Sequence, residues 1–213
     1  MPAKGGRYHH GDLQSALVDA AIGVIAERGV RDFSMAEASR RLGVTTAAPY
    51  RHFADRDELL AAVATRALTV FATMLSTDAA ADADADTVDS ANTSAERLAA
   101  MAGAYVRFAA QQRPLFDTLF NSGLDKSRHP ELQRAWEPVD TLLTTAVLGV
   151  CDGDAVAAEV LSDAIEASAH GYAMLLNDGE YGRGADVVRA TADRATAAAR
   201  ALIAGRRALR TPA

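Results

Sequence analysis

Apolar side chains recur at every third or fourth position through most of this chain, and its sequence contains no run with strand-like alternation. That spacing is typical of helices that bury one face. It predicts an all-α protein with about nine helices. We expect them at about 12–28, 35–42, 46–53, 56–76, 95–111, 114–120, 130–150, 154–177 and 185–204.

Helix start and stop signals are densest in residues 34–60. The sequence Ser-Met-Ala-Glu at 34–37 has the spacing of a capping box, in which the serine and glutamate side chains bond free N–H groups at a helix start. Gly43 suits the end of that helix, because glycine adopts a positive φ without strain. Asp-Arg-Asp-Glu at 55–58 repeats the start signal before a longer helix. The stretch therefore predicts a helix, a glycine turn and further helix starts.

Between these signals the pattern predicts a short second helix at about residues 46–53. Thr45 or Thr46 can act as its N-cap. If Thr46 is the cap, Pro49 falls in the first turn, where its missing N–H would have had no partner within the helix. A helix, a glycine turn and a second helix are the signature of a helix-turn-helix, whose second helix enters the major groove of DNA.

The overall charge does not by itself indicate a nucleic-acid partner. The chain has 22 Lys and Arg against 28 Asp and Glu, and residues 1–66 hold nine basic and eight acidic side chains. Attraction to phosphate depends on local charge rather than on the average. Because arginine and histidine side chains cluster near the motif, we expect one face of the N-terminal head to attract DNA.

Four segments resemble the TetR family of transcriptional regulators: RYHHGDL at 7–13, AERG at 26–29, LGV at 42–44 and YRHFADRDELL at 50–60. This resemblance is specific over about 60 residues. In the C-terminal half, AHG at 169–171, followed by Leu175 and Leu176, resembles the WHG-type ligand domain, with alanine where that motif often has tryptophan. The resemblance implies an N-terminal helix-turn-helix domain and a C-terminal helical domain for ligand binding and dimerisation.

We expect the domains to follow this division. The predicted parts are a DNA-binding domain at 1–55, a connecting helix at 56–76, an acidic flexible loop at 77–94 and an effector-binding and dimerisation domain at 95–213. The loop prediction rests on the sequence TDAAADADADTVDSANTS, which is acidic and poor in bulky apolar side chains. That composition favours a solvated linker over a metal or partner site.

Ten side chains are candidates for DNA contact. Threonine hydroxyls at the start of the second helix can bond phosphate or bases, and methyl groups there can touch a thymine methyl; the alternative is that the threonines only cap. The resemblance implies that Tyr50 and His52 bind phosphate rather than only pack. Arg56, where the family usually has lysine, adds its charge to the free N–H groups of a helix start. The candidates are Thr45, Thr46, Ala47, Tyr50, His52, Arg56, Arg51, Arg40, and, in an arm before the first helix, Arg7 and His10.

Apolar and aromatic side chains of the second half can line a pocket for a small amphipathic or aromatic effector. Each of them can equally be an ordinary core residue, and His170 can be a core histidine with satisfied hydrogen bonds. As a set, Tyr105, Trp136 and His170 offer the polar groups that would orient a ligand. The candidates are Phe71, Met74, Met101, Tyr105, Phe108, Phe116, Phe120, Trp136, His170 and Met174.

The resemblance also implies that the helices at about 154–177 and 185–204 join two copies of the chain, although they could instead only close the core of one copy. A homodimer would read a palindromic operator, because two heads cover half-sites one helical turn or a multiple of it apart. An effector bound in the body would move the connecting helix and release the double-stranded DNA.

Other functions have less support in the sequence. HExxH, CxxC, GxGxxG and P-loop motifs are absent, so we expect no enzymatic activity, cofactor or metal. The N-terminus has no apolar signal region, no 18-residue run is wholly apolar, and Cys151 is the single cysteine, which favours a cytoplasmic location. We therefore expect a repressor released by an effector. The alternatives are a ligand-responsive activator and a helical interaction protein without DNA binding.

Overall fold

The computed structural model describes residues 10–81 and 90–209, with side chains described for 13–77 and 93–209. This part of the chain contains eight α-helices, three 3-10 helices and no strand. The α-helices are α1 (His10–Arg28), α2 (Met35–Leu42), α3 (Arg56–Ala81), α4 (Ser90–Gln111), α5 (Arg113–Asn121), α6 (Pro130–Val150), α7 (Ala155–Asp178) and α8 (Ala185–Ala204). The predicted all-α class is confirmed, with one α-helix fewer than the nine expected.

The chain divides into two compact units. The first holds the described residues up to Ala67 together with Pro114–Gln133, and the second holds Leu68–Arg113 together with the described residues from Arg134 onward. Both α3 and α6 therefore begin in the first unit and end in the second. The domain boundaries proposed from the sequence follow helix ends rather than this division, and they stay predictions.

In the first unit α1 packs against α2, and Gly23 in the middle of α1 has a packing reason. A Cβ at Gly23 would come within 2.9 Å of the guanidinium carbon of Arg41, which lies across this position. The Arg41 Nη1 atom is also 2.7 Å from Glu27 Oε1. Glycine inside a helix costs about 1 kcal/mol relative to alanine. In return, its small size lets an α2 side chain cover α1.

The second unit is built around α4, which packs against α8 and α7, while α7 and α8 also pack together. Small side chains allow these helices to approach closely. A Cβ at Gly103 of α4 would lie 2.5 Å from Thr196 Oγ1 of α8. The buried residues here include Leu98, Ala99, Val106, Phe108, Ala192, Ala195, Ala199 and Ile203.

Two helix boundaries differ from the sequence prediction. Helix α3 continues to Ala81 and α4 begins at Ser90, so both ends of the predicted loop at 77–94 are helical, while residues 82–89 lie outside the described residues. The three alanines at 79–81 favour the extension, because alanine has the highest helix propensity. Pro138 lies at an exposed position inside α6, and the helix continues on both sides of it.

One stretch of α3, Arg56–Thr77, is long and apolar enough to cross a membrane by length and composition, with a mean hydropathy of 1.7. Helices α6 and α7 pass the same test only as a pair, bent by 117°. A helix in the core of a folded domain meets this criterion too, and half of the α3 stretch is buried within the fold. The stretch is therefore weak evidence for a membrane span.

Candidate DNA interface and effector site

The helix-turn-helix begins as the sequence predicts. The Ser34 hydroxyl oxygen accepts a hydrogen bond from the Glu37 N–H at 3.3 Å, at the start of α2. Gly43 ends the helix with a φ of 68°, and its N–H donates to the Arg40 carbonyl at 3.1 Å. The cap and the left-handed glycine together fix where α2 stops and where the chain turns.

The prediction of an α-helix at about residues 46–53 is wrong. The Ala48 N–H donates to the Thr45 carbonyl at 3.0 Å, closing a turn, and a 3-10 helix follows at Pro49–Arg51. Pro49 has no N–H to donate to the Thr45 carbonyl four residues earlier, and that carbonyl accepts the Ala48 N–H instead. The chain adopts tighter turns with bonds across three residues instead.

We call residues 45–53 the reading segment. Pro49 and Phe53 are buried and anchor it in the first unit. Five of its side chains are exposed: Thr45, Thr46, Ala47, Tyr50 and Arg51. The exposed fraction of Tyr50 is 59%, which is unusual for a large amphipathic ring.

The threonines of the reading segment do not act as caps. Neither the Thr45 nor the Thr46 hydroxyl has a hydrogen-bond partner among the described residues. Arg51 likewise forms no ion pair in the described part of the chain, and residues 44–54 contain no acidic side chain. The segment therefore presents free hydroxyls and one uncompensated positive charge to solvent.

The other arginines and the histidines predicted to contact DNA are either less accessible or outside the described residues. Arg40 is paired with Glu37, whose other carboxylate oxygen lies 3.1 Å from Arg28 Nη2. His52 is half-buried. Arg7 and the side chain of His10 lie outside the described part of the structure. DNA contacts by these four residues stay predictions.

Arg56 is engaged inside the first unit. Its Nε donates to the Phe33 carbonyl at 3.1 Å and its Nη2 to the Val30 carbonyl at 2.8 Å, while Nη1 lies 3.4 Å from Asp57 Oδ1. Its guanidinium also lies 5.9 Å from the centre of the Phe33 ring. The side chain therefore braces the corner between α1 and α2. Sequence reasoning missed this role, because the two carbonyls lie 23 and 26 residues away along the chain.

The second unit brings four of the predicted effector residues together. The Phe71 ring centre lies 5.4 Å from that of Tyr105 and 4.8 Å from that of Phe108. The Tyr105 hydroxyl oxygen lies 2.8 Å from His170 Nδ1. Burial raises the pKa of Tyr105 and the carboxylate of Glu166 raises it further, so the hydrogen bond joins a neutral phenol to the imidazole ring.

The remaining effector candidates lie in different parts of the chain. Phe116 and Phe120 belong to the first unit, where their ring centres are 4.9 Å apart. Met101 is buried in the second unit, where Met74, Trp136 and Met174 are half-buried. A single pocket formed by all ten residues stays a prediction.

A cavity of about 280 Å³ in the second unit has a lining that the sequence did not indicate. It is bounded by α3, α4 and α6 and lined by Ser76, Ser94, Arg97, Met101, Thr141, Leu142, Thr145 and Ala146. Of these residues only Met101 was a candidate. Among the described residues no group of three or more His, Cys, Asp or Glu side chains could hold a metal ion.

Replacing Tyr105 with phenylalanine tests the buried hydrogen bond. The folded chain keeps the phenol proton above pH 10, where the unfolded chain releases it, so the stability contributed by Tyr105 is lost as pH rises beyond the unfolded value. We expect the parent to lose up to about 1.4 kcal/mol more per pH unit than Tyr105→Phe in that range. At neutral pH, the variant should be about 1 kcal/mol less stable. Urea unfolding between about pH 7 and pH 11 measures both effects, and parallel pH curves would contradict the assignment.

Two family models match this chain. Residues 17–63 match the model described as bacterial regulatory proteins, tetR family, and residues 98–202 match a tetracyclin repressor-like, C-terminal domain. The chain is a TetR-family transcriptional regulator. The family membership that the sequence motifs indicated is thereby confirmed, while the WHG-type subdivision stays a prediction.

Solved structures share the fold of this TetR-family regulator. A protein of unknown function from Rhodococcus sp. RHA1 is 27% identical, with a TM-score of 0.66, over 91% of this chain and 98% of that one. A TetR-like regulator from the same organism is 20% identical, with a TM-score of 0.66, over 93% of this chain and 100% of that one. FadR from Bacillus subtilis, in complex with stearoyl-CoA, is 16% identical, with a TM-score of 0.63, over 90% and 96%. No curated protein matches the chain.

Proposed function

We propose that this TetR-family regulator is a repressor, acting in the cytoplasm, that binds a palindromic operator as a homodimer and leaves it when a small amphipathic effector binds. The observation that carries the proposal is the reading segment. It exposes Tyr50 and Arg51 between two buried anchors and two threonine hydroxyls before them, and among the described residues neither the hydroxyls nor the Arg51 guanidinium has a partner. Hydroxyl, phenol and guanidinium groups are the donors that proteins use on phosphate oxygens.

The reading segment has few long side chains that can reach base edges. Its threonine and alanine methyl groups can touch a thymine methyl. We infer that sequence discrimination draws on those contacts, on the shape of the DNA and on the half-site spacing that a dimer sets.

The outer face of α7 supports the homodimer. A stripe of apolar and small residues on α7 is exposed or half-buried: Val156, Val160, Ala164, Ala167, Gly171 and Leu175. Val156 is 73% exposed and Leu175 is 43% exposed. A Cβ at Gly171 would meet no atom within 4 Å, so this face has room for a second helix. Large exposed apolar side chains along one helix face are a common mark of an interface.

The second unit supports effector binding. It contains the hydrogen-bonded Tyr105 and His170 beside packed phenylalanine rings, and a cavity bounded by three helices. The structurally similar FadR holds stearoyl-CoA, so the same fold accommodates an amphipathic ligand. A ligand that binds one arrangement of α3 more tightly than another would shift the population of DNA-binding dimers.

The proposal is tested with the DNA upstream of the regulator's own gene. Fluorescence anisotropy should detect a complex of two protomers per operator, with affinity that falls as salt rises because phosphate contacts release counterions. Deleting the gene should raise transcription from that promoter. If unrelated competitor DNA removed all binding to the promoter fragment, the chain would have no specific operator there, which would argue for an interaction protein. Lower transcription after deletion of the gene would indicate an activator.

A further inference from the structure

The cavity bounded by α3, α4 and α6 has a polar side and an apolar side. Hydroxyl groups and one guanidinium form the polar side, and Met101, Leu142 and Ala146 form the apolar side. Its volume of about 280 Å³ is close to the lower end of the range for small-molecule sites. It can therefore hold a compact polar group with a short apolar continuation, and it is too small for a large ligand as a whole.

Arg97 is the charged residue among the described residues of this lining, and no described side chain compensates its charge. Its guanidinium forms no ion pair or hydrogen bond within the described residues. The adjacent Glu96 is already bound to Arg200, at 3.0 Å from Nε and 2.7 Å from Nη2. None of the described residues that line the cavity is acidic. A positive charge at a partly apolar cavity favours an anionic ligand.

The hydroxyl groups differ in what they can offer a ligand. Ser76 donates to the Thr73 carbonyl at 2.9 Å and Thr141 donates to the Glu137 carbonyl at 2.7 Å, so both donors are occupied. The Thr145 hydroxyl has no partner among the described residues. Thr145 can therefore donate to an oxyanion that Arg97 also binds.

We propose that the effector carries an oxyanion, a carboxylate or a phosphate, which Arg97 and Thr145 bind in this cavity. The adjoining apolar part of the effector packs against Met101, Leu142 and Ala146. Met101 lies one helical turn from Arg97 and one turn from Tyr105, so the face of α4 that binds the oxyanion continues toward the Tyr105–His170 pair. This inference rests on the proposed function, in which the second unit binds an effector.

The test uses three probes that share one apolar part and differ in the polar group: 4-butylbenzoate, 4-butylphenyl phosphate and 4-butylbenzyl alcohol. Their binding to the full chain is measured by isothermal titration calorimetry without DNA. We expect at least one of the two anions to bind about tenfold more tightly than the alcohol, because charge-assisted hydrogen bonds are stronger than neutral ones. The tighter anion identifies the oxyanion as a carboxylate or a phosphate.

Arg97→Gln should remove the preference for the anion, and Thr145→Val should weaken anion binding several-fold. The matched control is Arg134→Gln, which removes an exposed arginine of α6 that does not line the cavity. The proposal would be overturned if the alcohol bound as tightly as the anions, or if no probe bound at about 1 mM. It would also be overturned if the preference for the anion survived in Arg97→Gln or was lost equally in Arg134→Gln. Because DNA is absent, a regulator that binds no operator but keeps the anion preference would refute only the repressor function.

Discussion

Replacing both Tyr50 and Arg51 with alanine is expected to lower the operator affinity of the dimer about 100-fold or more, which corresponds to about 2.7 kcal/mol. Both side chains are exposed and neither is bonded to another described residue, so their loss should leave the fold intact. Each dimer loses the contacts twice, once in each head. Because the change removes one positive charge per protomer, the slope of log affinity against log salt should fall by about 2.

Fluorescence anisotropy at several salt concentrations measures both quantities. Arg134→Ala is the matched control, since it removes an exposed arginine outside the reading segment and should leave the slope unchanged. Thr46→Val tests one threonine of the same segment, because it keeps a methyl group and removes a hydroxyl that has no partner among the described residues; it should weaken operator binding and leave the salt slope unchanged. A double variant with the affinity and salt slope of the parent would exclude the reading segment from the DNA interface.

Most helix ends could be predicted from sequence because their signals are local, whereas the end of α3 and the start of α4 could not. Asp154 accepts a hydrogen bond from the Ala157 N–H at 3.1 Å, and Gly179 ends α7 with a φ of 86°. Each signal lies within a few residues of the boundary that it sets. The reading segment shows the limit of this approach. Thr45 and Thr46 have the chemistry of caps, but a turn at Thr45–Ala48 and a 3-10 helix at Pro49–Arg51 follow them, so there is no α-helix for them to cap.

The partners of site residues could not be predicted, because packing decides them. Tyr105 and His170 are hydrogen-bonded although they lie 65 positions apart in the chain. Arg97 gave no signal of a site in the sequence, since five of the seven other residues that line the cavity come from two other helices. Residue type identified the aromatic candidates, whereas only the fold separates Phe116 and Phe120 from those in the second unit.

Replacing Arg56 with methionine is expected to destabilise the chain by about 2 kcal/mol, because two carbonyl groups lose charge-assisted donors. This loss of stability is smaller than the loss of two fully buried hydrogen bonds would cause, since the Arg56 side chain is 36% exposed and water can reach part of the site. Arg56→Lys should lose much of the same stability. An ammonium group is a point donor, whereas the planar guanidinium reaches both carbonyls from separate nitrogens. Urea unfolding followed by circular dichroism measures both variants.

The same two variants separate bracing from DNA contact. Lysine keeps the charge, so a folded Arg56→Lys dimer should hold its operator within a few-fold of the parent if residue 56 also contacts phosphate, and methionine should weaken binding further by about 1 kcal/mol per contact. Parent-like stability of Arg56→Lys would mean that the corner between α1 and α2 does not depend on the two hydrogen bonds. Equal operator affinity of the two folded variants would show that the charge at residue 56 does not contribute to DNA binding. Arg56 would then have a purely structural role, bracing the corner between α1 and α2 that leads to the reading segment.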